Sequence, residues 1–166
     1  MRLASIALLV STLVAQDGGS LHLKSALAAY QAGNVAAREA HFEEAITQFG
    51  KAIEIEPTFR EAFESLIAAY LSSGHRSDAA RTALQLLEIE PELIRYRLLL
   101  SQLLSEENQT ERALAQFSPV LKTDPLNADA LLGFAKAAKQ MGMDDRAADA
   151  MQKGRKQYPL DGRFHP

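Results

Sequence analysis

The sequence contains no cysteine and no tryptophan, and aromatic residues make up only 7% of it. Without cysteine there are no disulfides, no thiolate metal ligands, no thiol nucleophile and no lipid-bearing cysteine. So few aromatics leave little to stack single-stranded bases upon. Basic residues are not in surplus either: 18 Lys and Arg stand against 21 Asp and Glu, for a net charge of −3. General nucleic-acid binding, which draws on concentrated positive charge, is therefore disfavoured. What is present is ordinary: 166 residues, 47% hydrophobic and 23% charged. That usage excludes a disordered chain and a multi-span membrane protein, and the length suits one domain.

The chain opens with Arg2 followed by an uncharged, largely apolar run from Leu3 to Ala15. The run is too short for a helix crossing a bilayer, which takes about 20 residues. It fits the hydrophobic part of an export signal occupying residues 1–15, with Ala15 as the small residue before the cut and Leu13 larger than the ideal at minus three. Cleavage there would remove Arg2, move the net charge from −3 to −4 and leave no membrane span. An uncleaved anchor or a frayed helix is the alternative. The expectation is an exported protein, periplasmic or secreted, whose residues 16–25 extend the first helix of the body.

The body is periodic. Pro57, Pro91, Pro125 and Pro159 are evenly spaced, and Ala45, Ala79, Ala113 and Ala147 each stand at one fixed distance before one of them. Between these landmarks apolar residues recur at helical spacing. Each unit thus reads as two helices and a turn, near 20–39 and 42–55, 59–72 and 76–89, 93–106 and 110–122, and 127–140 and 144–157. Proline punctuates the step between pairs, because it lacks an N–H and biases its predecessor away from the α conformation. Alanine lets two helices approach closely. Gly74 and Gly142 suit the left-handed residue that ends a helix, and Asn108 tolerates that conformation. Ala40, at the same place in the first unit, departs from this rule and predicts a turn that is either strained or differently shaped.

This phrasing, and a proline interval equal to a unit of about 34 residues, resemble the tetratricopeptide repeat family. Gly33, Ala45, Phe49, Ala52 and Pro57 match in the first unit. Leu66, Tyr70, Gly74, Ala79 and Pro91 match in the second, and Phe134, Gly142, Ala147 and Pro159 in the fourth. The third matches least, with Arg97 in a slot for a large apolar residue. The family's tryptophan slot holds Ala29, Phe63 and Leu131 elsewhere. The resemblance implies an all-α fold: an α-solenoid of four helix-turn-helix repeats in a right-handed superhelical arc. The units would be 26–59, 60–93, 94–127 and 128–161, with 162–166 a short tail. Ser20 is the expected cap of the first helix. Arg155 and Gln157 stand where earlier units have apolar residues, as on the outer face of a terminal repeat. Pro119 falls within a helix and is expected to kink it.

Reactive chemistry is scarce. His41 and His75 hold corresponding loop positions, but two imidazoles do not make a zinc site, and both read as solvated loop residues. There is no phosphate loop, no paired-histidine helix and no serine elbow. Asn108-Gln109-Thr110 is a glycosylation sequon of incidental kind. No cofactor and no enzymatic activity are expected.

Function is left to the surface. In the family, first helices line a concave groove that receives a peptide. By resemblance the groove positions are Leu27, Tyr30, Asn34 and Arg38, then Glu61, Glu64, Ser65, Ala68 and Leu71. Arg95, Leu98, Leu99 and Gln102 follow, with Leu132, Lys136 and Lys139 from the last unit. Only Asn34 matches the family's clamp for acidic chaperone tails, so that ligand is not expected. Leu27, Tyr30, Leu71, Leu98, Leu99 and Leu132 could instead form an apolar strip for a partner helix, or could be fillers between helices. The expected partner is a protein or peptide, not a nucleic acid; a self-associating homo-oligomer is the competing reading.

Overall fold

The computed structural model describes residues 3–165, with side chains from Leu21 onward. It comprises eight α-helices, with no strand among the described residues. They are α1 (Leu3–Arg38), α2 (Phe42–Ile55), α3 (Arg60–Ser72), α4 (Arg76–Ile89), α5 (Ile94–Glu106), α6 (Thr110–Thr123), α7 (Ala128–Gln140) and α8 (Asp144–Gln157), followed by a 3-10 turn at Gly162–Phe164. The all-α expectation holds, and the helices from α2 onward fall within a residue of their expected limits. Met1 and Arg2, the basic start of the expected leader, lie outside the described residues, as do the side chains of Leu3–Ala15. The expected cap at Ser20 is corrected: the backbone is helical from Leu3 straight through that position, so Ser20 stands at no free helix start.

Two recurring turns explain the period. Within each pair the chain leaves its first helix through one left-handed residue: Ala40 (φ 58°), Gly74 (φ 83°), Asn108 (φ 59°) and Gly142 (φ 71°). The following N–H then reaches back to the same relative carbonyl in every unit. His41 donates to Ala36 (2.9 Å), His75 to Tyr70, Gln109 to Leu104 and Met143 to Ala138 (each 2.8 Å). These are the hydrogen bonds of a Schellman cap, which satisfy carbonyls the helix end would otherwise leave open. Between pairs, the landmark proline is the second residue of a β-turn, the position its fixed φ suits. Phe59 donates to the Glu56 carbonyl (3.0 Å), Leu93 to Glu90 (3.3 Å), Asn127 to Asp124 (3.2 Å) and Asp161 to Tyr158 (3.0 Å). In the first and third of these turns the acid before the proline adds a clasp. Glu56 accepts from the Thr58 hydroxyl at 2.5 Å and its N–H at 3.2 Å, which holds the Glu56 carboxyl below the usual carboxylate range.

Ala40 carries a steric penalty that Gly74 and Gly142 do not, since its Cβ crowds the carbonyl in the left-handed region. Ala40→Gly is therefore expected to raise the unfolding free energy by roughly 0.5–1 kcal/mol, the left-handed strain of about 1–2 kcal/mol less the greater freedom of an unfolded glycine. Urea titration checks this; a loss of stability would mean that the turn is unstrained.

The helices cluster into two compact bodies that divide at the Gly74 turn, one up to His75 and one from Arg76. In the first body α1 packs along α2, and α3 closes on both. Ala36, Ala45, Phe49, Leu66 and Ala69 form its core, ringed by Tyr30, Ala37, Ile46, Ile53 and Tyr70. The ring of Phe49 lies on Gly33, where an added Cβ would come within 2.6 Å of it. In the second body α4 through α8 pack in sequence, and α7 also touches α5. Phe117 of α6 lies on Gly133 of α7, where a Cβ would sit 2.2 Å from the ring. Buried Ser101 and Thr82 turn their hydroxyls back to the Arg97 and Asp78 carbonyls at 2.7 and 2.8 Å.

Three details concern the irregular positions. Helix α6 continues through Pro119, and both Pro119 and Ala115, whose carbonyl loses its partner, are on the exposed face where water can serve it. Arg97 does not leave its apolar slot empty: its guanidinium donates to the Pro91 carbonyl (2.7 Å) and to Gln116 (3.1 Å), while its stem is half-buried. The third is the expected short tail, which packs into the body. Phe164 is fully buried, its ring on Gly154 and stacked 5.8 Å from Tyr158. It stands one repeat period after Ala130, so residues 162–164 continue the register as the first turn of a following helix.

Candidate functional site

The groove positions inferred from the sequence fall into two sets, one on each body. In the first, Asn34 and Arg38 come together with Gln31, Val35 and Ala37 on the outer face of α1, around a shallow groove of about 660 Å³. Spacing explains the grouping, since residues three and four apart share a helix face. Leu27 is 44% exposed beside this face. Tyr30 is not available in the same way: its ring packs 4.9 Å from Phe59 and 5.8 Å from Phe49, as part of the core. On α3, Glu61 is exposed, whereas Glu64 is held by Arg60 at 3.3 Å. Ser65 and Leu71 are half-buried. The expected apolar strip is thus reduced here to Leu27, with Tyr30 and Leu71 drawn inward as packing residues.

In the second body Arg95 is exposed, its guanidinium 5.4 Å above the Tyr96 ring. Leu98 and Leu99 are half-buried, and Gln102 donates to Glu106 at 3.1 Å. Leu132, Lys136 and Lys139 do share a groove, of about 530 Å³, with Ala135, Asp144, Ala147, Ala148, Met151 and Arg163. Sequence reasoning missed the α8 side of this groove, because Met151 and Ala148 look like any second-helix apolar positions. It also missed Arg163, placed by the turn that Phe164 anchors. Arg163 donates to both Asp161 oxygens (2.7–3.1 Å) and to Asp129 (3.0 Å). Those bonds hold the Asp161 carboxyl below its ordinary range and raise the guanidinium further above its own.

A second groove of the same body, about 580 Å³, runs between α6, α7 and α8 over Leu121, Pro125, Leu131 and Phe134. Arg146 lies 5.0 Å above the Phe134 ring, and Lys153 pairs with Asp149 at 2.8 Å. No position on the sequence-derived groove set borders it. His41 and His75 are exposed, each beside a glutamate: Glu39 at 3.4 Å and Glu43 at 3.8 Å. Among the described residues no three His, Asp or Glu side chains converge to hold a metal ion, and no helix is long and apolar enough to cross a membrane.

Comparison with known proteins agrees with this architecture. Models of the tetratricopeptide repeat match residues 26–59 and 104–165. Human tetratricopeptide repeat protein 6 is 32% identical over 104 residues, which is 61% of this chain but only 20% of that protein. The chain therefore spans about a fifth of that relative's length. Among solved structures, MamA superposes with a TM-score of 0.74 at 18% identity, covering 85% of this chain and 77% of MamA. A fragment of MamA from Desulfovibrio magneticus RS-1 gives 0.71 at 19% identity, covering 85% and 80%. YrrB, a tetratricopeptide protein with an unusual peptide-binding site, gives 0.69 at 23% identity, covering 98% and 84%. These likenesses speak for the fold, an α-solenoid. With its four Schellman turns, four proline turns and the two matched segments, the chain belongs to the tetratricopeptide repeat family.

Proposed function

We propose that this chain is a protein-binding module, without catalysis of its own, that holds a peptide or partner subunit on the exposed faces of its first helices. Proteins of this family serve as protein-interaction scaffolds, and YrrB is one with a peptide-binding site. The observation that carries the reading is the Asn34–Arg38 face of α1. It is a shallow groove of about 660 Å³ lined by Gln31, Asn34 and Arg38 with Val35 and Ala37, beside exposed Leu27. The chain is exported in this reading, and the partner belongs to the cell envelope or the secreted space.

Affinity capture from an envelope or extracellular fraction tests the reading, with the full tagged chain as bait. A partner is expected, and Asn34→Ala with Arg38→Glu should reduce its recovery at least tenfold while leaving helicity unchanged. Recovery equal to the parent would remove this face from consideration. Mass spectrometry of the bait should find it starting at Gln16; an intact Met1 terminus would end the export reading.

A second reading is favoured by one feature. Leu21 (67% exposed), Leu23 (58%) and Val35 (47%) stand with Leu27 on α1 as large apolar residues in water. Leu23 and Leu27, four residues apart, share a helix face, and exposed apolar residues of this kind suit a homodimer. A mass by light scattering that stays monomeric over a wide concentration range would dismiss it.

A further inference from the structure

We propose that the groove formed by α7 and α8 is the seat for an acidic amphipathic helix carried by a partner protein. The proposal rests on the module reading and names the class of partner. The repeat itself supplies the shape. One unit earlier, α5 and α6 present Ser101, Ala113, Leu114 and Phe117, and α7 packs over them. Those four residues are accordingly buried, at 0, 0, 9 and 5% exposure, and Phe117 meets the bare backbone of Gly133. Their counterparts one repeat period later are Ala135, Ala147, Ala148 and Met151. Ala135 and Ala147 are buried, at 4 and 7% exposure, but among the described residues no α-helix follows α8 to cover Ala148 and Met151. Ala148 is exposed and Met151 half-buried as a result, and the 3-10 turn at Gly162–Phe164 covers only the end near Gly154. The groove is thus a surface whose internal counterpart is a helix socket.

Charge selects the occupant. Lys136 and Lys139 border the groove where the preceding unit has uncharged Gln102 and Ser105. Neither lysine makes an ion pair among the described residues, whereas Arg163 is already engaged by Asp161 and Asp129. Asp144 is the single carboxylate in the lining. An incoming helix with small and apolar residues on one face and glutamates beside it meets both demands: apolar contact on Met151 and Ala148, and opposite charge at the two lysines.

The test uses the full chain and a fluorescein-labelled peptide copying Asn127–Gln140, the segment that fills the preceding socket, with glutamate at its two lysine positions. Fluorescence anisotropy should show it binding at least tenfold more tightly than the same peptide with its lysines kept. Lys136→Glu with Lys139→Glu should reverse that order, and Met151→Asp should abolish binding of both while helicity is retained. Equal binding of the two peptides, no binding, or indifference to all three substitutions would overturn the proposal. So would a parent dimer that these substitutions dissolve, since the seat would then belong to a second copy. Partner capture that survives them yet is lost in the Asn34→Ala, Arg38→Glu variant ends this proposal and leaves the module reading standing.

Discussion

Phe164→Ala should lower the unfolding free energy by about 3–5 kcal/mol, the range for removing a buried phenyl ring from a core. The ring is 0% exposed and is bounded on one side by helix backbone, because Gly154 has no side chain to fill the space it would vacate. Tyr158 stacks on the other side with an interplanar angle of 11°. Neither wall can collapse cheaply, so the cavity contribution should be near the full one. Leu160→Ala is the matched control: its side chain is 98% exposed, and truncation should change stability by less than about 0.5 kcal/mol. Gly154→Ala reaches the same contact from below. Helix propensity alone would favour alanine by about 1 kcal/mol, yet the new Cβ would lie 1.9 Å from the ring. A net loss is therefore expected, and urea unfolding followed by circular dichroism measures all three. Equal stability of Phe164→Ala and the parent would show that the terminal turn does not pack in solution. Acid should loosen the same turn: Asp161 has a lowered folded pKa, so its stabilising bond with Arg163 is present above the ordinary aspartate pKa and is lost as pH falls through the folded one.

An equally large effect, again about 3–5 kcal/mol, is expected for Phe49→Ala in the first body. Phe49 is 1% exposed and touches what holds α1 to α2: Gly33, the Tyr30 ring and the core alanines. Removing it would leave Tyr30 supported by Phe59 alone among the aromatic rings. Gly33→Ala should also destabilise, because a Cβ 2.6 Å from the Phe49 ring forces overpacking that costs about 1–3 kcal/mol, against a propensity gain of about 1 kcal/mol. The two changes share one contact, so their effects should not add. Phe49→Ala gives Gly33→Ala the room it lacks, and in that background the alanine should become neutral or stabilising. Strict additivity would mean that the close approach of α1 and α2 is not what makes Gly33 sensitive.

The helices and turns were legible in the sequence because their causes are local. A proline at the second position of a β-turn, an acid before it, and a left-handed residue at Ala40, Gly74, Asn108 or Gly142 act on neighbours a few residues away. Helix limits followed from those signals to within a residue from α2 onward, while α1 runs past Ser20 to Leu3 through Gly18 and Gly19, residues whose low helix propensity suggests a helix start there. The candidate site was less legible. That Asn34 and Arg38 share a helix face follows from their spacing alone, whereas the packing of Tyr30 depends on Phe49 and Phe59, which lie on other elements.

By itself, then, the amino-acid order determined an all-α repeat with its punctuation, for hydrogen bonds and backbone sterics over a few residues leave little choice. Tertiary structure alone decided which ring rests on which glycine, that Phe164 is core and not tail, and that Met151 and Ala148 border an open groove beside two lysines. Those outcomes depend on distances across packed helices, and hydrophobic periodicity marks a residue as apolar without saying what will cover it.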